Sequence, residues 1–384
     1  MANALLSSDQ LVNPEPRWTL ELVRCLDCAL VQITETVPPE SMFSDYAYFS
    51  SFSDTMVNHA RQIAERLADE KSLDESSQVI EIASNDGYLL QWYARLGIPV
   101  LGIEPAQNIA EVAIEEKGIP TIAEFFGSSV ANTLADQGKQ ADVIHANNVL
   151  AHVPDLNGVV QGFQSLLKPG GHVVVEAPYL GDLIDHVEFD TIYHEHLCYF
   201  SLTALVALFA RHGLDIVDVE HLAIHGGSLR IFATHASTEA VGEAVKEMLA
   251  AEANWVHSKE HHDRFASRVE DLRQALTAQL HQLKDEGNRI AVYGASAKGS
   301  TLMNYFGIDA NLIDYVVDRS TVKQGRYTPG THLEICDPQR LLEDQPDYCL
   351  LLTWNFAEEI MKQQASFRAN GGKFIIPIPE VRVA

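Results

Sequence analysis

Over residues 79–176, and again over 289–376, apolar residues fall in short runs separated by polar, glycine-bearing turns. Strands are expected at 79–83, 100–103, 142–146 and 172–176, with helical segments between them. That alternation predicts a mostly parallel sheet covered by helices. Upstream, residues 1–75 form a small module that starts at the Cys25-Leu26-Asp27-Cys28 knuckle and passes through a Ser-rich, aromatic stretch (43–53) into a helix over 55–69. After Ala177 the pattern changes to an irregular aromatic and His-rich segment, a helix over 202–211, and a strand pair near 215–220 and 228–234. Residues 238–286, rich in Ala, Glu and Gln and free of proline, read as one long helix. A second, smaller alternating unit begins at 289–294, with further strands at 315–317, 348–352 and 373–376. The expected division is 1–75, 76–237, 238–286 and 287–384.

With 384 residues, two or three domains are expected. The net charge of −26, with no stretch concentrating Lys and Arg, excludes nucleic acid and anionic membranes as partners. An anionic substrate would then need a locally positive site. The first thirty residues hold acids and prolines and make neither a signal peptide nor a membrane span, so the cytoplasm is the expected compartment. Five cysteines form no disulfide framework, and Cys198, Cys336 and Cys349 are expected to be buried thiols.

The turn after the first strand of the 76–237 unit reads Glu81-Ile82-Ala83-Ser84-Asn85-Asp86-Gly87-Tyr88. A strand entering a tight turn brings backbone N–H groups and a helix N-terminus to a ligand. It fails the dinucleotide fingerprint, having a single glycine. Glu104, ending the second strand, is placed to accept hydrogen bonds from both hydroxyls of an adenosine ribose. Asn147-Asn148 and Lys168-Pro169-Gly170-Gly171 follow in order. Together these features resemble class I S-adenosylmethionine-dependent methyltransferases, with the donor held by Glu81, Ala83, Asn85, Gly87, Tyr88, Glu104 and Asn147. An unrelated doubly wound domain is the competing reading.

Residues 193–196 read Tyr193-His194-Glu195-His196. A zinc site lacks the i,i+4 spacing of H-E-x-x-H and an obvious third ligand. A structural histidine cluster is the plainer alternative. The chemical alternative is carbon methylation, which needs a C–H acidified by a neighbouring carbonyl and removed by a base. Histidine suits that task at neutral pH, a carboxylate beside it fixes its tautomer, and a phenol donates to the developing enolate oxygen.

This run, followed by His225-Gly226-Gly227-Ser228-Leu229-Arg230, resembles the sugar C-3 methyltransferases of deoxysugar pathways. The likeness spans nearly the whole chain, including Asp45-Tyr46-x-Tyr48-x-Ser50-Ser51-x-Ser53. It implies a class I methyltransferase-type sheet, a small N-terminal module and a C-terminal Rossmann-like domain that binds a nucleotide-linked 4-keto-6-deoxysugar. It also implies His196 as the C-3 base, with Glu195 orienting it and Tyr193 and His152 assisting. Tyr48 or Tyr46 would line the pocket. His225 and Gly226 would meet the substrate. The family carries two C-x-x-C pairs for zinc and this chain shows only Cys25 and Cys28. Two thiolates do not complete a tetrahedral site, so no structural zinc is expected unless an upstream pair exists.

In the C-terminal unit, Tyr293-Gly294-Ala295-Ser296-Ala297-Lys298-Gly299 follows a strand and opens a helix but matches neither a P-loop nor G-x-G-x-x-G. Ser296 and Lys298, with Lys323 and Arg326, would cradle a diphosphate and supply the positive charge. A lid without a ligand is the alternative. His257 and His261 are expected on a solvated helix face. A monomer or weak oligomer is expected. Oxygen methylation of a sugar or small metabolite, and donor binding without turnover, remain open at this level.

Overall fold

The computed structural model describes residues 1–38 and 49–384. The chain opens with a hairpin, β1 (Leu22–Arg24) and β2 (Val31–Ile33), that turns at Cys25–Cys28. The central sheet is built from β3 (Val79–Ile82), β4 (Val100–Ile103), β5 (Thr121–Ile122), β6 (Ala141–Asn147) and β7 (Leu167–Pro178). The next strand, β8 (Cys198–Tyr199), returns to pair antiparallel with β2, so the N-terminal hairpin is completed by the segment that follows His196. β9 (Leu214–Leu222) and β10 (Ser228–His235) then finish a seven-stranded sheet of order β5-β4-β3-β6-β7-β10-β9. β3 to β7 run parallel, while β10 is antiparallel to both neighbours.

The parallel strands are buried on both faces, which is why they read as apolar runs. Val79, Val143 and Val174 point to one side, where Met56, Ala60, Ile63 and Leu67 of helix Asp54–Glu70 cover them. Ile80, Ile144, Val173 and Val175 point to the other, under Val159 and Phe163 of helix Leu156–Leu166 and Leu205 and Phe209 of helix Leu202–Arg211. Ser53 starts the first of these helices by accepting from Met56 N–H, and Asp155 starts the second by accepting from Gly158 N–H.

The expected single helix over 238–286 is two helices, Glu243–Glu252 and Lys259–Asp285. The break has a cause. The buried Glu252 carboxylate accepts from the N–H groups of Leu202 and Thr203, both at 2.7 Å, capping another helix. Ser258 then caps the next one through His261 N–H. His257 lies exposed in the break, so His257 and His261 share no helix face.

The C-terminal unit is a six-stranded sheet of order β13-β12-β11-β14-β15-β16. Its strands are β11 (Ile290–Tyr293), β12 (Val316–Val317), β13 (Ile335–Cys336), β14 (Tyr348–Leu351), β15 (Lys373–Ile376) and β16 (Arg382–Val383). Strand order reverses between β3 and β6 in the first unit and between β11 and β14 here, and ligands bind at such switch points. Cys198 and Cys349 are buried as expected, and burial pushes the Cys198 thiol up to about 12. Cys336 is only half-buried, and its Sγ meets the Arg340 guanidinium, itself half-buried, at 2.8 Å. Among the described residues no helix is long and apolar enough to cross a membrane.

Candidate active site

The turn at the carboxyl end of β3 is held by Glu104. One carboxylate oxygen accepts from Asn85 N–H and the other from Ala106 N–H, each at 2.9 Å. This acid therefore clamps two loops at the switch point, leaving each oxygen a second lone pair for a ligand. Burial raises its carboxyl above the usual range. Ala83 (φ 50°), Asn85 (φ 49°) and Gly87 (φ 76°) all take the left-handed conformation. The turn thus keeps a glycine-type backbone although two of its three positions carry side chains. Gly87 is required: an added Cβ would lie 3.0 Å from Ile119.

Buried polar atoms without a partner among the described residues cluster around this turn: Glu81 Oε2, Ser84 Oγ, Asp86 Oδ1 and, at the end of β6, Asn147 Oδ1. Burial, then the Glu104 and Asp86 charges, pushes the Glu81 carboxyl well up. These unused polar groups at the switch point are of the kind that a polar ligand would satisfy. Tyr88 is packed in the core beside helix Asp54–Glu70. A contact not legible in the sequence is that Ser50 N–H donates to Asn85 Oδ1 (2.8 Å), so the segment before that helix closes on the donor turn.

His152 lies five residues beyond Asn147, in the short 3-10 turn Leu150–His152. Its Nδ1 meets the Glu195 carbonyl at 2.6 Å, while Leu197 N–H donates to the Ala151 carbonyl. These bonds stitch the Tyr-His-Glu-His segment onto the end of β6. His196 Nδ1 meets the Thr191 carbonyl at 2.8 Å, and its Nε2 meets the Tyr193 hydroxyl at 3.1 Å. Only an N–H bonds a carbonyl oxygen, so both imidazoles carry their proton on Nδ1 when neutral and present an Nε2 lone pair. Burial lowers the His152 pKa, keeping that ring neutral. The two rings stand 4.9 Å apart, edge to face.

The segment does not act as one cluster. His194 is buried and its Nε2 meets the Thr19 carbonyl, tying down the N-terminal module. Glu195 does not orient His196. Its side chain accepts from Asn3 Nδ2 at 2.6 Å, and burial raises its carboxyl. The orienting acceptor is the Thr191 carbonyl instead. Among the described residues no group of three or more His, Cys, Asp or Glu is arranged to hold a metal ion. Tyr46 and Tyr48 lie outside the described residues, as does the His225 side chain. Gly226 (φ 94°) and Gly227 (φ 134°) pack on Glu188 and Asp182, leaving no room for a Cβ at either position.

In the C-terminal unit, Ser296 Oγ caps helix Ala297–Phe306 by accepting from Gly299 N–H. Lys298 Nζ lies 5.1 Å over the Trp354 ring, and its charge acts on the buried acids Glu188 and Asp190. Lys323 folds back onto the turn, donating to the Ala295 carbonyl at 2.8 Å, with Asp318 3.8 Å away. Arg326 is exposed. The expected positive spot is therefore offset by three acids, which sequence spacing did not reveal.

A model of the C-methyltransferase C-terminal domain matches residues 223–379, a methyltransferase-domain model matches 56–219, and a model named for zinc binding matches 1–43. The chain is 36% identical over 385 residues to the C-methyltransferase NovU of Streptomyces niveus, covering 100% of this chain and 91% of that one. It is 31% identical over 99 residues to a ubiquinone biosynthesis O-methyltransferase of Acinetobacter baylyi, covering 25% of this chain and 41% of that one. Magnesium protoporphyrin IX methyltransferase from Synechocystis superposes at a TM-score of 0.39 and 15% identity, over 50% of this chain and 90% of that one.

Proposed function

Because the chain belongs to the C-methyltransferase family, whose methyl donor is S-adenosylmethionine, we propose that it methylates C-3 of a nucleotide-linked 4-keto-6-deoxysugar with His196 as the base. The observation that carries this reading is the Nδ1–H bond from His196 to the Thr191 carbonyl, which puts the lone pair on Nε2, beside the Tyr193 hydroxyl and packed against the end of β6 through His152.

The donor supplies an electrophilic methyl group on a sulfonium. The chain's own residues do the rest. His196 Nε2 takes the C-3 proton, the C–H electron pair moves into the C-3–C-4 bond, and the carbonyl pair moves onto oxygen. Tyr193, whose hydroxyl rests on Nε2 without substrate, turns its O–H to that oxygen and steadies the enolate. The enolate carbon so formed is the nucleophile to which the donor, when bound, would supply its methyl group. Neutral His152 accepts rather than donates at Nε2, so it orients a substrate hydroxyl and does not stabilise the oxyanion. The diphosphate is held at the C-terminal switch point by the N-terminus of helix Ala297–Phe306 and Lys298, against the opposing charge of Glu188, Asp190 and Asp318.

Candidate nucleotide-linked 4-ketosugars incubated in D2O test this. The wild type should exchange the C-3 proton and transfer a methyl group to carbon. His196→Gln should do neither while still binding S-adenosylmethionine. Exchange at the wild-type rate in His196→Gln would remove the base, and methyl transfer to oxygen without exchange would replace the reaction.

A further inference from the structure

Asp190 is fully buried, yet only one of its oxygens is used: Oδ2 accepts from the Trp354 indole N–H at 2.7 Å. Oδ1 has no partner among the described residues. A carboxylate sealed from water with half its acceptors idle costs stability. The Lys298 charge and the backbone N–H groups of Asp190 and Thr191 favour the ionised form, yet burial still raises its pKa.

Its surroundings supply a reason for an acid there. Trp354 begins the turn after β14, at the switch point of the C-terminal sheet, with Lys298 over its ring. The residue after Asp190 is Thr191, whose carbonyl holds His196 Nδ1. Thr191 is fixed in turn, its hydroxyl donating to the Glu188 carbonyl at 2.7 Å. Phe189 stacks on Phe306 at 4.8 Å, and Thr301 Oγ1 reaches the Ile192 carbonyl at 3.4 Å. Residues 188–192 therefore form a stiff bracket with one end on the C-terminal unit and the other on an imidazole.

We propose that Asp190 and Trp354 are a positioning pair: Trp354, set at the C-terminal ligand cleft, fixes Asp190, and through the Thr191 carbonyl the pair aims His196. This rests on reading His196 as the base. A displacement of about 1 Å in such a support costs up to a hundredfold in rate.

The test uses the full-length protein and three variants. Trp354→Phe keeps a ring under Lys298 but removes the donor, and Asp190→Ala removes the acceptor. Asp190→Asn keeps an amide oxygen for the indole. Trp354→Phe and Asp190→Ala should lose about ten- to a hundredfold in kcat, with KM for the nucleotide sugar changed less than about threefold. Asp190→Asn should restore most of the rate. The ring 15N signals of His196, assigned with His196→Gln and recorded without substrate, should shift in the two impaired variants and not in Asp190→Asn. A pure KM effect, an Asp190→Asn as slow as Asp190→Ala, or unmoved His196 signals would each overturn the proposal. The 15N arm needs no turnover, so it judges the linkage even where the exchange assay rejects His196 as base. Should Trp354→Phe fail to melt cooperatively, the two Asp190 variants decide.

Discussion

Arg230 meets Glu176 at 2.7 Å beneath the donor end of the central sheet, with 7% and 1% of their side chains exposed. The same guanidinium reaches Glu220 at 2.8 Å, and His59 Nε2 meets Glu176 at 2.9 Å. Burial alone would raise the Glu176 carboxyl, but His59 and Arg230 outweigh it and hold it below its usual value. The charge is therefore kept and matched rather than neutralised by a proton.

Removing one partner leaves a buried charge unmatched. Arg230→Met should destabilise the methyltransferase unit by about 3–5 kcal/mol, read as a lowered melting temperature in calorimetry. Adding Glu176→Gln should recover much of the loss. A melting temperature unchanged in Arg230→Met would show that the pair is not a structural requirement.

Ala83 sits at a φ of 50° in the donor turn, where a Cβ costs about 1 kcal/mol. Ala83→Gly is expected to raise stability by up to that amount with no weakening of S-adenosylmethionine binding. Gly87→Ala should do the reverse, since its Cβ would press on Ile119. Equal melting temperatures and donor affinities across the three proteins would contradict the backbone argument.

His145 contributes a share of the acid sensitivity that one substitution can isolate, alongside His152, whose pKa burial also lowers, and the depressed Glu176. Burial drives the His145 imidazole down to about 3 beside the Tyr93 hydroxyl. The unfolded chain binds a proton there below about pH 6.5 while the native state does not, so this stability is complete above that pH and lost on acidification. The slope is about 1.4 kcal/mol per pH unit for one proton. Glu81 and Glu104, raised by burial, act in the opposite sense, so the informative quantity is the difference from a variant. His145→Gln should show a shallower fall in stability between pH 6 and pH 4 than the wild type, as judged by denaturant titration at each pH. Parallel curves would mean that His145 charges freely in the native state.

Tyr193→Phe separates the phenol from the base. Losing one donor to a developing oxyanion costs about a hundred- to a thousandfold in kcat. KM should hold, and C-3 exchange should slow with methyl transfer. Exchange at the wild-type rate alongside slow methylation would place Tyr193 in the second step alone.

The strands of both units were legible because residues such as Val79–Ile82 and Ile290–Tyr293 are buried on both faces, leaving unbroken apolar runs between polar turns. That Glu104 closes on the turn after β3 was legible from its place at the end of the next strand, but its clamping of Asn85 and Ala106 N–H was not. The pairing of β8 with β2 was not, since two residues carry no periodicity. In the Tyr-His-Glu-His segment, adjacency misled. His196 N–H bonds the Tyr193 carbonyl in a tight turn, so residues three apart meet while His194 and Glu195 face elsewhere. The partner that fixes the His196 tautomer is a main-chain carbonyl, which no residue type announces. Asp190 and Trp354 lie 164 positions apart and share no motif.

The bracket at residues 188–192 also sets an order of events at the ribosome. Phe306 and Trp354 must leave the exit tunnel before that bracket can close, although the donor fold is complete more than a hundred residues earlier. Domains fold as they emerge, N-terminal ones first. A nascent chain thus has its methyl-donor sheet formed while the segment that carries His196 still lacks its contacts with the C-terminal unit.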